Sequence, residues 1–354
     1  MKAMIMAAGV GSRLMPLTAT MPKPMVPILG KPVMEHGVNL LKQHGVTQII
    51  SNLHYLPDVI RSYFANGQAF GVEMDYSYEE TLMGTAGGVK NNQYFLETDT
   101  FVILSGDALT DINLSAMYEY HKSRGALATI ALKSVEDVSK FGVVIQDSEG
   151  RITAFQEKPK PEIALSNLAN TGIYIFEPHI FELIPANTFY DFGKQLFPLL
   201  VEQNLPFFGW ETKGYWSDIG SFETYKEAQF DMINGKVKLN TCKMNSPFYI
   251  GRGSVIASSS DIEGNVVIGE NTAVGERCTI YNSVILDNVT IGNDITIINS
   301  VIGNGCRIND KVVINSDCVL GDENVLEAQV ELLQGVKIWP RRLVTEIVKE
   351  DLVG

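Results

Sequence analysis

The chain has 354 residues, of which 45% are apolar and 19% are charged, and its formal net charge at neutral pH is -13. This composition is typical of a globular protein with a buried core, and the length allows one large or two medium domains. An acidic chain lacks the broad basic surface that nucleic acid requires, and no apolar run approaches the roughly 18 residues that span a bilayer. We therefore expect no nucleic-acid or membrane partner, and the lack of a signal-peptide pattern predicts a cytoplasmic location.

Strand-like and helix-like segments alternate over the first two thirds of the chain. The apolar runs KAMIMAA, VTQIISNL, TFVILSGD and ALATIALK predict buried strands, whereas VMEHGVNLLKQHG and LSAMYEYHKSRG have the apolar spacing of helices. This alternation is typical of a largely parallel sheet with helices on both faces. Because ligands bind beyond the carboxyl ends of such strands, we expect a site in the loops after KAMIMAA and TFVILSGD.

From about Gly251 the pattern changes to a hexapeptide repeat. Glycine often follows the recurring aliphatic residue, as in IGENTA and IGNGCR. Five-residue steps follow Leu286 and Ile297, and every other step is six. The repeat predicts a left-handed β-helix in which three short strands form each coil. Its recurring positions are Ile262, Ile268, Val274, Ile280, Leu286, Ile291, Ile297, Ile302, Ile308, Ile314 and Leu320.

The cysteines fit the same pattern. Cys278, Cys306 and Cys318 each fall four residues after a repeat aliphatic, and together with Cys242 they form no C-x-x-C pair. We therefore predict small core-filling side chains rather than disulfides or a zinc site.

The opening segment is a positive island in this acidic chain. Lys2, Arg13, Lys23 and Lys31 are its cations, and the first acid is Glu35. The glycines of AAGVGSR allow a backbone to approach an anion closely, although a tight strand-to-helix turn explains them equally well. Five prolines exclude a long helix and predict an extended, stiff path that brings Arg13 and Lys23 over one phosphate group.

Further motifs connect this segment with the rest of the chain. The signature G-x-G-[ST]-R-L-x-P-L-T followed by P-K-P stands at residues 9–18 and 22–24. In these motifs the sequence resembles the sugar-nucleotide pyrophosphorylases, nucleotidyltransferases that act on sugar 1-phosphates, over essentially its whole length. The other matching motifs are GTAGG (84–88), LSGD (104–107), FGVV (141–144), EKP (157–159), NTGIYIF (170–176), GYWSDIG (214–220) and VKIWP (336–340).

The resemblance implies a fold and a reaction. The fold is α/β: a Rossmann-like, GT-A-type, mostly parallel sheet over residues 1–235, a connector over 236–250 and the left-handed β-helix over 251–354. The reaction is nucleotidyl transfer from a nucleoside triphosphate to a sugar 1-phosphate, which releases pyrophosphate. The attacking phosphate is already ionised, so catalysis requires mainly positioning and charge neutralisation.

The resemblance also implies the roles of individual residues. Asp107 and Asp218 are the implied Mg²⁺ ligands, and Asp111 is the alternative if one of them is wrong. Arg13 holds the departing pyrophosphate, and Lys23 neutralises the reacting centre. Phe141 replaces the tyrosine more usual beside the sugar. The implied nucleotide contacts are Ala8, Gly9, Gly11, Ser12, Arg13, Glu79, Gly84, Thr85 and Asp107, and the implied sugar-phosphate contacts are Lys23, Gly142, Glu157, Lys158 and Asn170.

The choice of base depends on Glu79, five residues before Gly84. Members of the family that use uridine or thymidine nucleotides tend to carry glutamine at this point. A carboxylate only accepts hydrogen bonds, so it matches the N1–H and N2–H₂ donors of guanine. We therefore expect GTP and mannose 1-phosphate to give GDP-mannose. UTP or dTTP with glucose 1-phosphate is the alternative, as is a solvent-facing Glu79 and Glu80 with backbone groups that read the base.

Two other functional classes compete with this interpretation. A regulatory or binding subunit would keep the same fold without the activity. Such a subunit is expected to have lost at least one site residue, whereas this chain keeps all five, namely Arg13, Lys23, Asp107, Lys158 and Asp218. Hexapeptide acyltransferases usually employ a histidine base, whereas all five histidines precede the repeat. We therefore expect the β-helix to be an oligomerisation or regulatory element, and the protein to be a homo-oligomer through it.

Overall fold

The structure, a computed structural model, describes residues 1–239 and 247–353. The chain divides into two compact units, the first made of residues 1–9 and 34–218 and the second of residues 10–33 with the chain from Ile219 onward. Cys242 and part of the predicted connector lie outside the described residues, and the predicted domain boundaries stay a prediction. Within the described ranges, none of the helices has the length and apolar character that a bilayer crossing requires.

The elements up to Asp218 alternate as the sequence predicts. The strands are β1 (Lys2–Met6), β2 (Pro27–Ile28), β3 (Lys31–Pro32), β4 (Gln48–Leu53), β5 (Glu73–Tyr78), β6 (Phe101–Ser105), β7 (Ala108–Thr110), β8 (Ala128–Ser134), β9 (Gly142–Gln146), β10 (Ile152–Glu157), β11 (Leu168–Phe176), β12 (Phe207–Glu211) and β13 (Trp216–Asp218). The helices are α1 (Val33–Gln43), α2 (Pro57–Phe64), α3 (Gly84–Asn91), α4 (Gln93–Leu96), α5 (Leu114–Ser123) and α6 (Phe197–Glu202).

The first unit contains a nine-stranded sheet with a parallel centre. Along its main path the strands follow the order β10-β9-β11-β6-β1-β4-β5, and β8 joins β11 and β12. β6, β1, β4 and β5 are parallel, whereas β11, β9 and β10 run antiparallel to their neighbours. The predicted mostly parallel sheet is confirmed, and the motifs FGVV and EKP lie on its antiparallel side.

Apolar side chains of the central strands explain why this sheet forms. Met4, Ile50, Phe101 and Ile103 are fully buried in one core cluster. Burial of one such side chain contributes about 1.5–3 kcal/mol. The loops at the carboxyl ends of these strands are therefore carried by a rigid scaffold, as a binding site requires.

The second unit contains helix α7 (Phe222–Ile233) and three parallel sheets. Each coil contributes several aliphatic or cysteine side chains to one apolar core, whose buried members run from Val266 to Val348. These features confirm the predicted left-handed β-helix of hexapeptide repeats. Its strands are β14 (Phe248–Ile250), β15 (Val255–Ile256), β16 (Asp261–Glu263), β17 (Val266–Ile268), β18 (Ala273–Val274), β19 (Thr279–Tyr281), β20 (Val284–Ile285), β21 (Thr290–Ile291), β22 (Thr296–Ile298), β23 (Val301–Ile302), β24 (Arg307–Ile308), β25 (Val313–Ile314), β26 (Val319–Leu320), β27 (Val325–Leu326), β28 (Glu331–Leu332), β29 (Lys337–Ile338) and β30 (Leu343–Val344).

One repeat position predicted from the sequence is wrong. Ile285, not Leu286, is aligned with Ile268 and Ile302 in the parallel register of β17, β20 and β23. The sequence has three successive aliphatic residues at this point, so spacing alone leaves the inward residue ambiguous. Hydrogen bonding to the neighbouring coils resolves it, and the repeat also continues beyond Leu320 to β30.

Residues 10–33, which we call the basic loop, are compact rather than extended as the prolines suggested. The loop contains three single 3-10 turns at Ser12–Leu14, Leu17–Ala19 and Lys23–Met25, and the hairpin of β2 and β3. Proline excludes a long helix, as predicted, but its fixed φ is equally compatible with a short 3-10 turn. Leu29 and Gly30 form the hairpin tip with φ values of 48° and 75°.

The described cysteines are buried core residues, as predicted. Burial raises the pKa of Cys306 to about 12 and that of Cys318 to about 11. Both thiols are therefore neutral at about pH 8. Because alkylation requires the thiolate, neither thiol is reactive at that pH.

We accordingly expect Cys306 and Cys318 to resist iodoacetamide at about pH 8 in the folded protein and to react fully in guanidinium. Peptide mass spectrometry reads each cysteine separately. Rapid labelling of either thiol in the folded protein would contradict this assignment.

Candidate active site

A pocket of about 310 Å³ lies at the carboxyl ends of the central strands in the first unit. It brings together six residues predicted from the sequence, which are Ala8, Gly9, Glu79, Gly84, Thr85 and Asp107. Six further residues line it that the sequence analysis missed, namely Met6, Asn52, Leu82, Ser105, Phe189 and Asp191.

Some of the missed residues carried a usable signal. Met6 ends β1, Ser105 ends β6, and Asn52 is the second-last residue of β4, so the rule that ligands bind at strand ends could have found them. Phe189 and Asp191 precede α6 and reach the pocket only through tertiary folding. No local pattern marks them.

Glu79 is held in the pocket by a hydrogen-bond network that starts at β1. Ala7 N donates to Asn52 Oδ1 over 3.0 Å, and Asn52 Nδ2 donates to Glu79 Oε1 over 2.7 Å. Met83 N donates to Glu79 Oε2 over 3.2 Å. Glu79 is 5% exposed, so the prediction that it faces the pocket rather than solvent fits its burial. Each carboxylate oxygen keeps further capacity to accept a hydrogen bond.

Gly88 of α3 explains part of the GTAGG motif. A Cβ at Gly88 would lie 2.6 Å from Glu79 Oε1 and 3.2 Å from Asn52 Nδ2. No real Cβ tolerates the first distance, so a side chain here would displace the carboxylate. The glycine is therefore required by the close approach of Glu79 to the helix.

Thr85 lines the pocket, but its hydroxyl already has two protein partners. Thr85 Oγ1 donates to Asp191 Oδ2 over 3.0 Å and accepts from Phe192 N over 2.7 Å. Asp191 Oδ1 also accepts from the backbone N–H groups of Gly193 and Lys194. This network connects the start of α3 to the segment before α6.

The two predicted metal ligands come from adjoining strand ends. Asp107 lies between β6 and β7, and Asp218 pairs with Ala108, the next residue, in the antiparallel register of β13 and β7. Ser105 Oγ donates to Asp107 Oδ1. Asp111, the alternative ligand, accepts from Tyr215 N over 2.6 Å and so supports the loop that leads to β13.

These carboxylates fit a divalent cation that also binds substrate. No group of three or more His, Cys, Asp or Glu side chains converges on a metal position among the residues that the structure describes. Mg²⁺ typically takes one or two carboxylates and completes its octahedron with phosphate oxygens and water. Two neighbouring aspartates are therefore a suitable donor set.

Of the predicted sugar-phosphate residues, Gly142, Glu157 and Lys158 lie together at the antiparallel pair of β9 and β10. Glu157 is the register partner of Gly142. A Cβ at Gly142 or at Gly193 would lie 3.0 Å from Glu157 Oε2, so two glycines make room for this carboxylate. Lys158 Nζ lies 3.9 Å from Glu157 Oε1 and its side chain is 60% exposed. Lys158 has a φ of 45°, a left-handed conformation that is uncommon for lysine.

Asn170 lies at an irregularity in β11. Its Nδ2 donates to the Tyr174 hydroxyl over 3.0 Å, and its Oδ1 accepts from Gly172 N over 3.0 Å. Burial raises the pKa of Tyr174, so this hydroxyl stays protonated. Phe141, which replaces the usual tyrosine, packs edge-on against Trp216 at 5.2 Å between ring centroids.

The remaining predicted residues belong to the basic loop and hence to the second unit. Ser12 and Arg13 are exposed, whereas Lys23 is 8% exposed. Gly11 has a φ of 69°, and a Cβ there would lie 2.7 Å from Lys23 Cβ. The glycine-rich turn therefore packs so closely against the Lys23 side chain that a residue with a Cβ would not fit there. The roles of Gly11, Ser12, Arg13 and Lys23 stay predictions.

A larger cleft of about 600 Å³ lies between α7 and the β-helix in the second unit. The lysine in its lining, Lys226, donates to Asn299 O and Oδ1 over 2.7 Å each and lies 3.4 Å from Asp317 Oδ1. Because that charge is already paired, we assign no ligand to this cleft.

Comparison with known proteins agrees with this geometry. The family model described as Nucleotidyl transferase matches residues 2–235, and one described as the GMPPB C-terminal domain matches residues 244–353. The chain is 41% identical to the UTP–glucose-1-phosphate uridylyltransferase of Synechocystis sp., with 90% of this chain and 88% of that protein covered.

Two further relatives match about two thirds or more of this chain. The mannose-1-phosphate guanylyltransferase of Mycobacterium tuberculosis is 31% identical, with 77% of this chain and 76% of that protein covered. The solved structure of HddC from Yersinia pseudotuberculosis complexed with GMP-PN is 27% identical, with a TM-score of 0.56 and coverage of 65% of this chain and 99% of that one. The chain therefore belongs to the nucleotidyl transferase family, among the enzymes that act on sugar 1-phosphates.

Proposed function

We propose that the chain transfers a guanylyl group from GTP to mannose 1-phosphate and forms GDP-mannose and pyrophosphate. The observation that carries this choice is Glu79, a buried carboxylate that lines the pocket. Its oxygens accept from Asn52 and Met83 and retain lone pairs that suit the N1–H and N2–H₂ donors of guanine. Relatives named mannose-1-phosphate guanylyltransferase support the same pair of substrates.

UTP and glucose 1-phosphate are the second candidate pair. The relative from Synechocystis, which is named for them, is more similar to this chain and matches nearly its full length. In this case Glu79 acts as an internal acceptor for Asn52 and Met83, and backbone groups of the pocket read the uracil. The two candidates share one reaction and differ only in the role of this carboxylate.

Positioning and charge account for the reaction under either pair. An oxygen of the sugar 1-phosphate attacks the α-phosphorus, and the bond to the pyrophosphate oxygen breaks. Lys158 and Glu157 hold the sugar phosphate and hydroxyls, with Gly142 and Asn170 beside them. The backbone of Ala8, Gly9, Gly11 and Ser12 approaches the triphosphate. Arg13 stabilises the departing pyrophosphate and Lys23 the reacting centre, and no general base is required.

Asp107 and Asp218 would hold the divalent cation, which we propose is Mg²⁺. When bound, such an ion neutralises phosphate oxygens as negative charge shifts towards pyrophosphate. The Ser105 hydroxyl holds the Asp107 carboxylate, and the β7–β13 pairing places Asp218 opposite Ala108, the residue after Asp107. We further propose a homo-oligomer that forms through the β-helix. The cytoplasmic location stays a prediction.

The substrate pair is tested by measuring pyrophosphate release in the presence of Mg²⁺. GTP, UTP, dTTP, ATP and CTP are each combined with mannose, glucose and N-acetylglucosamine 1-phosphates. We expect GTP with mannose 1-phosphate to lead. A lead for UTP or dTTP with glucose 1-phosphate would favour the second pair, because the mechanism is common to both. No turnover from folded protein would contradict the proposed function and favour a regulatory subunit.

The metal assignment is tested by Asp107→Asn and Asp218→Asn. We expect each to lower kcat at least about 100-fold, because a neutral amide binds Mg²⁺ weakly in place of a carboxylate. Asp111→Asn keeps an acceptor for Tyr215 N and should lose less than about fivefold. A large loss in Asp111→Asn with a small loss in Asp218→Asn would instead identify Asp111 as the second ligand.

A further inference from the structure

The basic loop is anchored to the C-terminal part of the chain at two separate points. At the first, Thr20 Oγ1 donates to Asp322 Oδ2 over 2.6 Å, across a sequence separation of 302 residues. Hydrogen bonds to an ionised carboxylate are stronger than those between neutral groups. A residue in the middle of the loop is thereby tied directly to the β-helix.

Asp322 is itself held in place by the adjacent coil. Its Oδ1 accepts from Asn304 N over 2.8 Å and from Asn304 Nδ2 over 3.1 Å. Because one carboxylate oxygen is fixed by these two bonds, the other has a defined direction. The stacking of the coils therefore determines where Thr20 is held.

The second anchor is at the β2–β3 hairpin. Leu29 N donates to Gln229 Oε1, and Gln229 Nε2 and the Tyr225 hydroxyl both donate to Pro27 O, each over 2.8 Å. Gln229 is 1% exposed and Tyr225 is fully buried. The hairpin is thus bound through three hydrogen bonds to two side chains on one face of α7.

Helix α7 is in turn fixed to the β-helix. Lys226, one turn from Gln229, is 8% exposed and donates to Asn299 in the coil that precedes Asp317. Both anchors of the basic loop therefore lead to the same set of coils.

Lys23 lies between the two anchors, three residues after Thr20 and four before Pro27. Its side chain also contacts the turn at Gly11 that precedes Arg13. We propose that the β-helix positions the basic loop for the triphosphate, with Thr20, Asp322 and Gln229 as positioning residues. This inference rests on the proposed function, in which Arg13 and Lys23 contact phosphate.

The proposal predicts an asymmetric effect on the substrates. Loss of an anchor lets the cations of the loop move, which weakens the binding of the nucleoside triphosphate and of pyrophosphate. Of the implied sugar-phosphate contacts, Gly142, Glu157, Lys158 and Asn170 belong to the first unit and do not depend on these anchors, whereas Lys23 alone lies in the loop. The KM for the sugar 1-phosphate should therefore change less than the KM for the triphosphate. A purely structural role would instead lower stability without separating the two KM values.

The test compares Thr20→Val with Thr20→Ser, and Asp322→Ala with Asp310→Ala. Asp310 is the matched control: its Oδ1 accepts from Asn293 N and Nδ2 in the same corner arrangement, with no hydrogen bond to the basic loop among the described residues. KM is measured for the leading triphosphate and sugar 1-phosphate, and for pyrophosphate in the reverse direction. Hydrogen exchange of residues 10–33 provides a readout independent of activity.

We expect Thr20→Val and Asp322→Ala each to raise the KM for the triphosphate and for pyrophosphate about five- to tenfold. The KM for the sugar 1-phosphate should stay within about twofold of the wild-type value. Amide hydrogen exchange in the basic loop should be faster in both variants than in the wild type. Thr20→Ser and Asp310→Ala should resemble the wild type in every readout. An unchanged triphosphate KM or an unchanged loop exchange rate in Thr20→Val and Asp322→Ala would overturn the inference. If the wild type has no activity but the two variants still exchange faster in the loop, only the proposed function is refuted.

Discussion

The hydrogen bonds of Asn52 are the constraint on which the pocket depends. Its side chain accepts from Ala7 N, just after β1, and donates to Glu79, just after β5, while its own backbone lies in β4. Asn52 is only 4% exposed, so water cannot replace either partner easily. A buried polar group left unpaired costs about 1–3 kcal/mol, and here two groups would be affected. One side chain therefore fixes three loops relative to one another.

Local charge explains how an acidic protein can bind highly charged anions. Two charges 4 Å apart interact with about 4 kcal/mol at a protein surface, whereas exposed charges beyond about 8 Å are largely screened at physiological salt. The net charge of -13 is distributed over the whole chain, but the cations of the opening segment precede every acid. In the proposed function, a buried Lys23 beside a glycine-rich turn therefore matters more for phosphate binding than the overall charge does.

The sequence predicted the features that depend on local spacing. Hexapeptide periodicity identified the β-helix, strand–helix alternation identified the sheet, and the motifs placed Glu79, Gly84 and Asp107 where the pocket forms. It failed where tertiary contacts decide. Ile285 replaces Leu286 because interstrand hydrogen bonds, not spacing, set the register.

The basic loop shows the same limit. Prolines signal where a long helix cannot form, but they do not reveal that residues 10–33 fold with the chain beyond Ile219. Asp191 and Thr20 also escape detection, because their partners are 106 and 302 residues away. Such contacts follow from the packed structure and have no signature in a short stretch of sequence.

The ratio of kcat/KM for GTP to that for UTP, in the wild type and in Glu79→Gln, tests the central claim most directly. Glutamine can still accept from Asn52 but presents one acceptor and a donor where guanine requires acceptors. We predict a wild-type preference for GTP that falls at least about tenfold in Glu79→Gln, which corresponds to about 1.4 kcal/mol. Glu80→Gln, at the exposed neighbouring position, should leave the ratio unchanged. A wild-type preference for UTP, or a ratio insensitive to Glu79→Gln, would contradict the assignment of Glu79 as the group that reads the base.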